Sequence, residues 1–192
     1  KQTMKNWMFT MAVAAMLPCA DGVQAQTGAS QNPQKVLVAY FSHSGNTRTV
    51  AQQIARLTGG ELMEIVPATA YPTDYRAVVE QAEREIEAGV RPALKNQPRD
   101  VAQYDVVFVG SPCWWATIAP PVATFLTSCD FAGKTVIPFM THEGSGMGRS
   151  EADIRRLCPG AEVAKGLPVR GGAVGRSEAE VERWLRASKL AR

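Results

Sequence analysis

What is missing from this 192-residue chain narrows what it can be. No lysine follows its first glycine loop, so a Walker nucleotide loop is excluded, and Gly-x-Gly-x-x-Gly is absent as well. Only two histidines and four cysteines are present, with no Cys-x-x-Cys and no Cys/His spacing of a metal site. A strong charge of either sign is lacking: the net charge is +3, with the basic residues scattered, so no nucleic-acid partner is expected. The apolar run Trp7 to Leu17 falls short of the roughly 20 residues that cross a bilayer, so no stable membrane span is expected. Internal repeats and low-complexity segments are also absent.

What is there divides into a leader and one domain. Met4-Lys5, the short apolar run, Pro18 and the small residues before Ala25 have the layout of a secretory signal peptide over 1–25. A polar leader over 26–34 and a single domain over 35–192 follow, and the mature protein is expected to be exported, periplasmic or secreted. No twin-arginine pair precedes the run, so threading in the unfolded state is expected. Cleavage would leave Cys113, Cys129 and Cys158, an odd count that permits one bridge. Cys129 and Cys158 follow the third and fourth helices, whose ends could meet, although neighbouring axes alone do not guarantee bridging distance.

Apolar runs of strand length recur at Val36 to Phe41, Leu62 to Val66, Val106 to Val109, Val136 to Met140 and, more weakly, Glu162 to Leu167. Helical spacing fills the gaps at Val50 to Leu57, Tyr75 to Ala88, Val122 to Leu126, Ile154 to Leu157 and Val181 to Leu190. Continuous apolar strands imply burial on both faces, hence an α/β three-layer sandwich around a five-stranded parallel sheet. The charged helix from Asp74 to Glu87 reads as a solvent face.

Three strand ends carry unusual loops. After the first come Ser42, His43, Ser44, Gly45, Asn46 and Thr47, a hydroxyl-rich turn running into a helix N-terminus. Its free N–H groups can hold a phosphate, with Asn46 as cap and Arg48 as the one nearby cation, although an ordinary capped turn would use the same residues. After the third, Ser111, Pro112, Cys113, Trp114, Trp115 and Ala116 place two indoles side by side. By strand alternation one should cover the sheet and the other, Trp115, face a flat ligand. The fourth leads into Thr141, His142, Glu143, Gly144, Ser145 and Gly146. In a parallel sheet all three loops lie at the carboxyl edge, where an aromatic ligand bearing a phosphate would fit. The imidazole of His43 is expected free in solvent, and His142 with Glu143 near the ring's edge or simply solvent-facing. No side chains suggest a metal.

The chain resembles the flavodoxin-like superfamily, and within it the group with Pro-x-Trp-Trp in the second flavin loop. The resemblance covers Lys35 to Leu190 and implies strand order 2-1-3-4-5 with FMN at the switch point between strands one and three. It assigns Ser42 to Thr47 to the phosphate, Pro112 to Ala116 to one side of the isoalloxazine, and Thr141 to Gly146 to its other edge. Ala116 stands where many relatives have glycine, and a Cβ there penalises a backbone with positive φ.

Flavin would carry the electron and hydride chemistry, so no side-chain nucleophile is required. The implied function is an FMN-binding redox protein serving a redox partner protein or a small-molecule electron acceptor. An NAD(P)H-dependent quinone- or nitro-type FMN oxidoreductase is the alternative, and a non-redox ligand-binding module the outsider. Carrier flavodoxins are strongly acidic, which steers them to basic partners, and this chain is not.

Overall fold

The computed structural model describes residues 34–96 and 100–188. The expected signal peptide and most of the polar leader lie outside the described residues. Strands β1 (Val36–Tyr40), β2 (Glu61–Glu64), β3 (Val106–Trp114), β4 (Thr117–Ile118), β5 (Thr135–His142), β6 (Glu162–Val163) and β7 (Leu167–Arg170) alternate with five helices. These are α1 (Asn46–Thr58), α2 (Tyr75–Glu87), α3 (Pro120–Thr127), α4 (Ser150–Leu157) and α5 (Glu178–Ala187).

The main path of the sheet runs β2-β1-β3-β5-β6, with β7 continuing the edge beside β5 and β4 folded back on β3. All pairings except β3 with β4 are parallel. This is the order expected from the resemblance, with the fifth strand delivered in two short pieces.

Side-chain alternation explains why the strand sequences are apolar throughout. Leu37, Ala39, Val107, Val109, Val136 and Met140 face one layer, where Val78, Val122, Phe125 and Ile154 of α2, α3 and α4 pack on them. Val38, Tyr40, Val106, Phe108, Ile137 and Phe139 face the other, against Val50 and Ile54 of α1 and Val181 and Leu185 of α5. A strand buried on both faces has no polar positions to spare.

Register brings the loops together. Tyr40 lies beside Gly110, Gly110 beside Phe139 and Pro112 beside Thr141, so the ends of β1, β3 and β5 share one edge. Among the described residues, no helix is long and apolar enough to cross a membrane.

Candidate functional site

The first loop departs from the expected cap. Asn46 is the first helical residue, and Gly45 holds the N-cap position at φ +94°, a left-handed conformation that a side chain would strain. Capping falls to Ser42, whose Oγ accepts the N–H groups of Gly45 at 3.1 Å and Arg48 at 3.2 Å. The N–H groups of Ser44, Asn46 and Thr47 donate to nothing among the described residues, which leaves a row of donors at the positive end of α1.

Arg48 does not face this row. Its guanidinium pairs with Glu64 on β2, beside the Tyr40 hydroxyl, because the helix turns that side chain toward the sheet edge. Nor is the His43 ring free: Nε2–H donates to the Pro72 carbonyl at 2.8 Å, and the ring stands edge-on to Trp114. Thr47 is buried, and its hydroxyl meets that of Thr141 at 2.8 Å, tying the first loop to the third.

The second segment is a hairpin rather than an open loop. Strand β3 continues through Pro112, Cys113 and Trp114, and β4 returns, pairing Trp114 with Thr117. Trp115 and Ala116 form the two-residue turn at φ +48° and +59°. Two positive values are the signature of a type I′ turn, which matches the twist of the strands and normally recruits Asn or Gly. Ala116 thus adopts the backbone its Cβ disfavours.

Neighbouring contacts hold it there. Arg149 N–H donates to the Ala116 carbonyl at 2.8 Å. Gly148 sits so close that a Cβ would collide with that carbonyl. The Thr117 hydroxyl donates to Asp153, which also accepts from Arg149 Nε at 3.1 Å and from Arg156 at 2.8 Å. Partial burial would raise the Asp153 pKa, but the Thr117 hydroxyl and the Arg156 and Arg149 guanidiniums outweigh it and hold the carboxyl below its ordinary range.

The two indoles part at this turn. Trp114, still on the strand, packs within 5.5 Å of Phe41 and 5.0 Å of Tyr71, centroid to centroid. Trp115 is 47% exposed and donates Nε1–H to the Val79 carbonyl of α2 at 3.1 Å. Ser111 is fully buried, its Oγ accepting Ala119 N–H at 2.9 Å and donating to the Pro112 carbonyl.

In the third loop Thr141 is buried, and His142 Nδ1 is sealed from solvent with no hydrogen-bond partner. Glu143 is exposed, with its carboxylate against Gly171 and the Asn46 amide beside it, so that a Cβ at that glycine would meet both.

These parts enclose one cleft of about 710 Å³, within the range of small-molecule sites. Of the residues picked out in the sequence, His43, Ser44, Asn46, Pro112, Cys113, Trp114, Trp115, Ala116, Thr141, His142, Glu143, Gly144 and Ser145 line it. Ser42, Gly45, Thr47, Ser111 and Gly146 do not, and the bonds just described show Ser42, Thr47 and Ser111 acting as braces. The missing wall is α2 and the residue before its cap: Thr73, Tyr75, Val78, Val79 and Ala82. Their signal was an apolar stripe among the charges of that helix. No Lys or Arg is among the lining residues. Among the described residues, no cluster of His, Cys, Asp and Glu could hold a metal ion.

A doubly wound parallel sheet whose carboxyl edge opens into a cleft is the architecture of nucleotide- and flavin-binding α/β proteins. The chain belongs to the flavodoxin family, which it matches over residues 35–188. A candidate flavoprotein from Bacteroides uniformis is 34% identical, covering 81% of this chain and 99% of its own, with a TM-score of 0.72. Another from Bacteroides eggerthii is 32% identical, covering 80% and 97%, at 0.71. A flavoprotein in complex with FMN from Lactobacillus acidophilus, 24% identical and covering 79% and 98%, shares the fold at 0.63. No curated protein matches the chain.

Proposed function

We propose that this chain is an FMN-binding redox protein that exchanges electrons with a partner protein or a small acceptor. The observation that carries the reading is the convergence of the β1, β3 and β5 loops on one cleft, with unpartnered N–H groups at the start of α1. A relative of the same fold that is solved with FMN supports it.

The residues fit such a ligand. The Ser44 and Asn46 N–H groups with the Ser44 hydroxyl would take the phosphate through neutral donors, since Arg48 is committed to Glu64. Trp115, the Pro112–Cys113 stretch and Gly144–Ser145 would take the ring, and the orphaned His142 Nδ1 marks a polar demand in the cleft wall that the described residues leave unmet. Bound flavin supplies one- and two-electron transfer, while the protein binds and orients it and keeps water from one side.

One observation favours reduction of a small acceptor over a pure carrier. Tyr75 is 81% exposed and Trp115 47% exposed, both on the cleft, which offers aromatic surface to a second flat molecule such as a nicotinamide or quinone. The test is a visible spectrum after FMN titration, followed by each nicotinamide without air. Bleaching by a nicotinamide supports the enzyme, a yellow protein that resists both supports the carrier, and a protein that stays colourless removes the flavin reading. We further propose that residues 1–25 export the chain and that FMN is acquired after crossing.

A further inference from the structure

Far from the cleft, at the opposite edge of the sheet, the chain carries two thiols that this function does not use. Cys129 lies two residues beyond the end of α3 and is half-buried; Cys158 caps the end of α4, buried, with its N–H on the Ile154 carbonyl at 2.9 Å. The segments that follow them run together. Gly133 N–H donates to the Gly160 carbonyl at 2.9 Å, Glu162 N–H donates to the Lys134 carbonyl at 2.9 Å, and Ala132 packs against Gly160. Both cysteines belong to the same apolar cluster. Burial, and then the proximity of Cys129, push the Cys158 thiol up to about 12, while burial, and then Asp100, raise that of Cys129. No disulfide joins Cys113, Cys129 and Cys158 to one another in this structure.

We propose that Cys129 and Cys158 are a dithiol that closes to an intramolecular disulfide, cross-linking the carboxyl ends of α3 and α4. The oxidant is a small disulfide of the glutathione type. Cys129, the more accessible thiol, loses its proton and attacks one sulfur, releasing one small thiol and leaving a mixed disulfide. Cys158 then loses its proton and displaces the second small thiol as the protein S–S bond forms. Two protein thiols are thereby oxidised, one small disulfide is reduced to two thiols, and the net transfer is two electrons and two protons. High thiol pKa values make the reaction slow at neutral pH and faster in alkali. Closing a loop of this length restricts the unfolded chain and so stabilises the fold.

Incubating the full chain with oxidised glutathione, then alkylating and mapping peptides by mass spectrometry, tests this. The expected result is loss of two hydrogen atoms from the intact mass and one linked peptide pair containing Cys129 and Cys158. In C158S the same treatment should instead leave a stable glutathione adduct on Cys129. C129S, altered at the more exposed position, should show neither bridge nor adduct at Cys158. Full alkylation after oxidation, a bridge that uses Cys113 or Cys19, or a persistent adduct on Cys129 in the unaltered chain overturns the proposal.

Discussion

At the scale of single residues, the turn that carries Trp115 is held against its own preference. Left-handed backbone costs a non-glycine residue about 1–2 kcal/mol, and two such residues stand side by side at Trp115 and Ala116. Ala116→Gly should therefore stabilise the protein by about 0.5–1 kcal/mol in urea unfolding, since relief of strain exceeds the entropy cost that makes this change unfavourable elsewhere. A loss of stability would show that Ala116 is not strained in solution. Asp153 is the counterpart, because it accepts from Thr117, Arg149 and Arg156 together. Asp153→Ala should cost about 1–3 kcal/mol and alter Trp115 emission. Its depressed pKa fixes the sign of a pH effect: the contribution is complete above the ordinary carboxyl value of about 4 and is lost as pH falls below it through the folded value. Stability that is flat from pH 5 to pH 2 in a comparison with Asp153→Asn would contradict that.

Elements explain which parts of the site were legible in the sequence. The β1 loop was, because a buried strand, a Ser/Gly turn and a helical period leave the backbone few alternatives. The hairpin was not. Ser111 and Pro112 read as loop residues, yet β3 continues through them because β5 offers a partner as far as Thr141, and Pro112 needs no donor there. Nor was α2 legible as a wall: only Val78 and Ala82 are buried on it, and the contact that recruits it, Trp115 to the Val79 carbonyl, is tertiary. The escape of Arg48 to Glu64 depends likewise on β2 lying beside β1. With so little burial, α2 should exchange its amide hydrogens faster than α1, and added FMN should slow exchange over Thr73 to Ala82 as well as in the loops. Protection confined to the loops would mean that the helix is not part of the site.

For the whole molecule, the layer that fixes the fold and the edge that carries chemistry are separable. Ile54 is fully buried between α1 and the sheet, so Ile54→Ala should cost about 2–5 kcal/mol wherever the ligand binds. The strands were accessible through the apolar runs and their order only through the family resemblance, while the exact shape of the cleft required β1, β3, β5 and α2 to be placed together. On the proposed function, these four elements form one flavin site. Titrating FMN into the isotope-labelled chain while following its amide resonances tests this most directly. Signals from His43 to Thr47, Trp114 to Ala116, Thr141 to Ser145 and Thr73 to Ala82 should move together and saturate at one equivalent. Shifts restricted to one segment, or none at saturating FMN, would contradict it.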